Sequence, residues 1–185
     1  MKQATKTISS ITEAYEAIHD FYDCFHLHEA LEETNKLFKW AGKEKYYDKG
    51  APANLIFLSQ QLFKLFSAAE FICYSTGRRS PAILHENELS KYLALTMPDS
   101  MATAEWASLT RYLSWEEYIN PYYTFEKFGV MRGWEEVLQE LMEFALMNGS
   151  IEGCFTSAEL KKWRMRMVGV VEGGWFVDVR GREAN

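Results

Sequence analysis

The chain has 185 residues, 48% in the AVILMFWYC set, 15% aromatic and 25% charged. That predicts one domain with enough apolar side chains to fill a core, and it excludes a disordered chain, a collagen-like repeat and a low-complexity tract. A formal net charge of −6, from 20 basic and 26 acidic side chains, argues against a protein that grips phosphate backbones, because those need a basic face.

Residues 10–26 carry Ile11, Ala14, Ile18, Phe21, Tyr22 and Phe25 at spacings of three and four, the pattern of an amphipathic helix, with Ser9, Ser10 and Thr12 as N-cap candidates. From Leu27 the apolar row shifts to Leu27, Leu31, Thr34 and Phe38, turned by roughly 150° on the helical wheel, so a break is expected near His26–His28. Residues 42–52 read as a polar connection. Residues 53–75 are apolar nearly all round, with only Gln60, Lys64 and Ser67 sharing a polar strip, which predicts the buried hub of a helical domain.

Ser80-Pro81 offers an N-cap followed by proline at the first helical position, opening a helix with Leu84, Leu89, Tyr92 and Leu93 that ends before Pro98. Another is expected from about 102 to 113. Ser114-x-x-Glu117 and Thr156-x-x-Glu159 are capping boxes, and residues 133–148 form a strong amphipathic helix. Residues 121–128 add a turn or two. The run VGVVEGGWFVDVRG places β-branched and aromatic residues around Gly173-Gly174, which predicts a two-strand hairpin. The expected architecture is therefore all-α, one bundle of six to eight helices with a small C-terminal hairpin or extended tail: residues 1–155 form the bundle core, and 156–185 the C-terminal helix and hairpin-like tail of the same domain. Residues 156–185 hold six basic and four acidic side chains, the one locally basic segment.

Three cysteines, Cys24, Cys73 and Cys154, with no CxxC make no disulfide framework, and no apolar run follows the first lysines. Gln60, Gln61, Lys64 and Glu70 interrupt the longest apolar stretch, so no membrane span is expected. The chain reads as cytoplasmic.

Glu16, His19, Asp23 and His26 fall within a roughly 80° sector of one helix and combine carboxylate with imidazole at i, i+3, the way bundle proteins hold iron or manganese. The row lies opposite the apolar stripe, however, and no second Glu-x-x-His exists, so a solvated face is preferred to a metal site. Trp115, Tyr118, Tyr122, Tyr123 and Phe125, with Phe128, make the densest aromatic patch. Rings with polar tips suit ligand pockets and protein interfaces, which makes this patch the expected binding site. Lys161, Lys162, Arg164 and Arg166 around Trp163 read as a solvated face near a helix C-terminus rather than a nucleic-acid grip.

Arg79-x5-His85, at the mouth of a helix that follows a long apolar one, is similar to the Arg-x(4–6)-His motif of HEPN-type ribonucleases. That resemblance, over residues 12–95, implies an all-α dimer whose Arg and His face RNA across the dimer seam. No GxGxxG, Walker, HExxH, GxSxG or zinc spacing occurs, so no cofactor is expected. The favoured reading is a cytoplasmic binding or interaction protein without catalysis, with a protein partner possible and nucleic acid unlikely. Its rivals are a HEPN-like ribonuclease using Arg79 and His85, and a carboxylate–histidine metalloprotein. The aromatic patch and the hairpin both ask for a covering surface, so a homodimer is expected.

Overall fold

A computed structural model describes residues 8–43, 47, 51–78, 112–131, 133–147 and 149–183. Among them are seven α-helices and no strand: α1 Ile11–Cys24, α2 Leu27–Ala41, α3 Pro52–Tyr74, α4 Trp115–Ile119, α5 Tyr122–Gly129, α6 Trp134–Leu146 and α7 Ser157–Glu183, with a 3-10 turn at Ile151–Gly153. The protein is an all-α bundle, as its periodicity predicts. The helices expected at 81–97 and 102–113 lie outside the described residues.

Local chemistry sets most boundaries. Ser10 caps α1 by accepting from the Glu13 N–H at 3.2 Å, while the Glu13 carboxylate accepts from the Ser9 N–H at 2.9 Å. Phe25 leaves the helical region at φ −136°, and His26 starts α2 with its N–H donating to Glu29 at 3.2 Å. The shift in apolar row at Leu27 is thus a real break. Beyond it Leu27, Ala30, Leu31, Thr34 and Leu37 are buried, and α2 packs chiefly on the helices Trp134–Leu146 and Ser157–Glu183, whereas α1 packs chiefly on Pro52–Tyr74. Both capping boxes form: Ser114 and Glu117 exchange bonds of 2.7 and 3.3 Å, Thr156 and Glu159 bonds of 2.8 and 3.2 Å.

α3 packs on α1, α5, α6 and α7. Leu62, Leu65, Phe66 and Ala69 are fully enclosed, as expected for a hub, whereas Phe63 and Phe71 are only half-buried. By length and composition α3 also passes as a membrane span, yet half of its apolar window is buried inside the bundle.

The hairpin does not exist. α7 runs unbroken through Gly173-Gly174 as a 27-residue helix, about 40 Å long at 1.5 Å per residue. Residues 167–177 are buried without interruption, so this half of α7 shares the central position assigned to α3 alone. Its glycines are packing notches. A Cβ on Gly173 would collide with the Thr124 side chain of α5, and one on Gly174 would meet Tyr22 Oη at 2.9 Å and Leu65 Cδ1 at 3.3 Å. Removing two side chains lets α1, α3 and α5 close around α7. That packing offsets the helix-propensity cost of glycine, about 1 kcal/mol each.

α7 also carries polar groups inward, each with a partner. Glu172 is fully buried and accepts the Tyr112 N–H at 2.9 Å. Arg180, 3% exposed, donates to the Tyr118 carbonyl at 2.6 Å and lies 5.4 Å from the Phe176 ring centre. Burial lowers its pKa, opposed by the neighbouring Tyr118 and Tyr122. Tyr22 of α1 donates to the Val171 carbonyl of α7. Burial pushes its phenol well above the ordinary range, reinforced by the Asp178 charge.

Candidate functional site

Among the described residues, the side chains singled out in the sequence lie at separate places. In the carboxylate–histidine row, His19 Nδ1 lies 2.9 Å from Asp178 on α7, and its Nε2 lies 3.6 Å from Asp23. Glu16 is exposed, and His26 stacks on His28 with ring centres 6.1 Å apart at the α1–α2 break. The row is thus divided: His19 ties α1 to α7, and His26 sits in the joint between α1 and α2. Among the described residues no group of three or more His, Cys, Asp or Glu side chains converges as a metal would require. All three cysteines are unbridged.

The aromatic segment is mostly core. Tyr118 and Tyr122 are 4% exposed, and Phe125 and Phe128 are fully buried. Phe128 packs on Phe66 and Trp134, Tyr118 edges onto Phe176, and Tyr122 donates or accepts a 2.9 Å bond with Tyr15. Two short helices can bury so many rings because the glycine notches of α7 let α5 sit deep against it. Tyr123 is exposed, and the Trp115 side chain lies outside the described residues. Among the described side chains of this set, only Tyr123 is exposed.

Arg79 and His85 also lie outside the described residues. Their neighbour Arg78 pairs with Glu126 at 2.5 Å and sits 5.8 Å from the Tyr122 ring centre, which anchors the end of α3's exit to α5.

A site that sequence reasoning missed lies between α2 and α3. α2 leans mainly on α6 and α7, so its C-terminal half diverges from the start of α3 and leaves a cleft of about 730 Å³. Phe25, Trp40, Tyr47, Phe57 and Leu58 form its apolar wall. Trp40 and Tyr47 meet edge to face at 5.6 Å, and Phe25 and Phe57 lie 5.9 Å apart. The Tyr47 N–H donates to the Ala145 carbonyl at 2.8 Å, which fastens this wall to α6. Lys36, Lys39 and Lys43 line the cleft with Glu33, and Lys43 Nζ stands 4.0 Å above the Trp40 ring. Lys36 is held by Glu33 at 2.8 Å and Glu32 at 2.9 Å, and these bonds raise its pKa.

The signal for this cleft was present as Lys39-Trp40-x-x-Lys43 and Tyr47, basic and aromatic residues interleaved, of which Lys43 and Tyr47 fall in the stretch 42–52 read as a polar connection. On the other flank of α2 lies a second cleft of about 720 Å³ that reaches the exposed half of α7, with Lys161 and Arg164 on its far wall. A smaller pocket of about 310 Å³ between α7 and the α4–α5 corner has Lys162 and Arg166 beside Glu117. Chemically, the described lining of the aromatic cleft offers rings, three ammonium groups, the Glu33 carboxylate paired to Lys36 and one amide, Asn54, without a nucleophile–base pair. Such a lining can hold an anion that has an apolar body. No protein-family model, no curated protein and no solved structure matches the chain.

Proposed function

We propose that this is a binding protein without catalysis of its own, and that its site is the aromatic cleft between α2 and α3 rather than the segment 115–128. The observation that carries the reading is the union of four aromatic rings and the Lys39 and Lys43 ammonium groups around one concavity of about 730 Å³. That size falls in the range of about 300–1,000 Å³ typical of ligand sites, which combine apolar walls with a few placed polar groups. Lys43 over Trp40 supports the reading further, because the indole face orients the ammonium while leaving its charge for an anion. The ligand class is an anion with a flat or aliphatic body.

The fluorescent aromatic sulfonate 8-anilinonaphthalene-1-sulfonate is the probe. Phe57 is 44% exposed, so Phe57→Glu alters the cleft without emptying the core. Bound dye should brighten with wild type and be lost in Phe57→Glu and weakened in Lys43→Glu, with the far-UV circular dichroism of both variants unchanged. Dye bound equally by both folded variants would remove the cleft from consideration.

A further inference from the structure

We infer that the occupant of the aromatic cleft is an acidic segment of a partner protein, laid across α2 so that an apolar anchor enters the cleft and its carboxylates reach Lys161 and Arg164. The inference rests on the reading of that cleft as the binding site. Lys36 and Lys39 stand at i, i+3 on α2, and Lys43 follows two residues past its last residue, Ala41, lining the aromatic cleft with them. The aromatic cleft opens on one flank of α2 and the α7 cleft on the other, and Lys36 and Lys39 line both. The two concavities, about 730 and 720 Å³, together exceed what one compact ligand fills. An extended chain crossing α2 fits them both.

Charge selects the kind of chain. Lys36 is spent on Glu32 and Glu33. Lys39, Lys43, Lys161 and Arg164 remain, with Glu152 the one further carboxylate on the described lining. Arg164 Nε donates to the Asn35 amide oxygen at 2.6 Å, a neutral partner that orients the guanidinium without cancelling its charge. A protein of net charge −6 thus sets five cations against the three carboxylates Glu32, Glu33 and Glu152 along these two clefts, a local balance of +2. An acidic segment is drawn to these clefts and repelled by the rest, which fixes where it docks. A nucleic-acid strand gains only a few phosphate contacts there, and its uniform charge is repelled by the acidic body beyond them.

The test uses the full chain and a fluorescein-labelled peptide of glutamates around a central tryptophan, read by anisotropy. Binding should weaken with added salt and fall by about tenfold in the double variant Lys161→Glu/Arg164→Glu, while that variant still brightens the sulfonate dye as wild type does. A peptide that does not bind, or that the double variant binds equally, overturns the inference while leaving the dye site standing. Tighter binding of a labelled uridine oligonucleotide overturns it in favour of nucleic acid. A dimer in light scattering that the double variant dissolves overturns it in favour of a second copy of this chain. Failure of the cleft itself shows separately, as dye binding that Phe57→Glu does not change.

Discussion

The close approach of α5 to α7 at Gly173 makes a prediction with a definite sign. In an exposed helix, glycine to alanine gains up to about 1 kcal/mol, because alanine loses less backbone entropy on folding. At Gly173 the new methyl would enter the space of Thr124, with the Thr124 Cβ and Cγ2 also only 3.2 Å away. Thr124 cannot step aside. It is 4% exposed, its Cβ is fixed to the backbone of α5, and its hydroxyl donates to the Pro121 carbonyl at 2.6 Å. Either α5 moves off α7 or the hydroxyl bond breaks, and overpacking of this kind costs about 1–3 kcal/mol. Gly173→Ala should therefore destabilise by about 1–2 kcal/mol net. Gly169, one turn earlier in the same helix, has nothing within 4 Å of the position a Cβ would take. Gly169→Ala should stabilise by about 0.5–1 kcal/mol. Denaturant unfolding of the two variants, with the slope m unchanged, reads both signs. Thr124→Ala should recover part of the loss when combined with Gly173→Ala, since the two side chains share one space. A stabilising Gly173→Ala would refute the close packing of α7 against α5.

Phe66→Ala should cost about 3–5 kcal/mol, since Phe66 is fully buried against Phe128 and Trp134. Phe57→Ala, at a half-exposed ring, should cost well under half of that in the same denaturation assay. Burial pushes the Glu117 carboxyl up, but its bonds to Lys127 and to Ser114 outweigh this and hold its pKa below the usual carboxylate range. A depressed folded pKa means stability present above the unfolded value and lost as pH falls through the folded one. Wild type should thus exceed Glu117→Gln by about 1–2 kcal/mol near neutral pH, and the gap should close as the solution is acidified below the ordinary carboxylate range. A gap that stays constant from neutral to acid pH would contradict the charge-assisted cap. Gly133 has φ +83°, so Gly133→Ala should cost about 1–2 kcal/mol of thermal stability by forcing a side chain into the left-handed region. The rings of Tyr118, Tyr122 and Phe125 are core and the tail is a helix, so a homodimer found by light scattering would have to use other surfaces than those rings or a hairpin edge.

The amino-acid sequence by itself determined the class of fold, the break between α1 and α2, both capping boxes and the enclosed centre of α3. These are decided by neighbours within one or two turns: a carboxylate three residues from a hydroxyl, an apolar row that rotates at Leu27, a helix apolar nearly all round. Tertiary structure alone decided the tail. Locally, valines around Gly173-Gly174 favour a hairpin; the helix wins because its missing side chains admit Thr124, Tyr22 and Leu65, contacts from more than 40 residues away in sequence. Tyr122, Phe125 and Phe128 went inward for the same reason, since α5 reaches the core through that notch. The cleft between α2 and α3 could not be read from spacing either. It exists because α2 commits its apolar face to α6 and α7, and a helix with one apolar stripe cannot also close against α3.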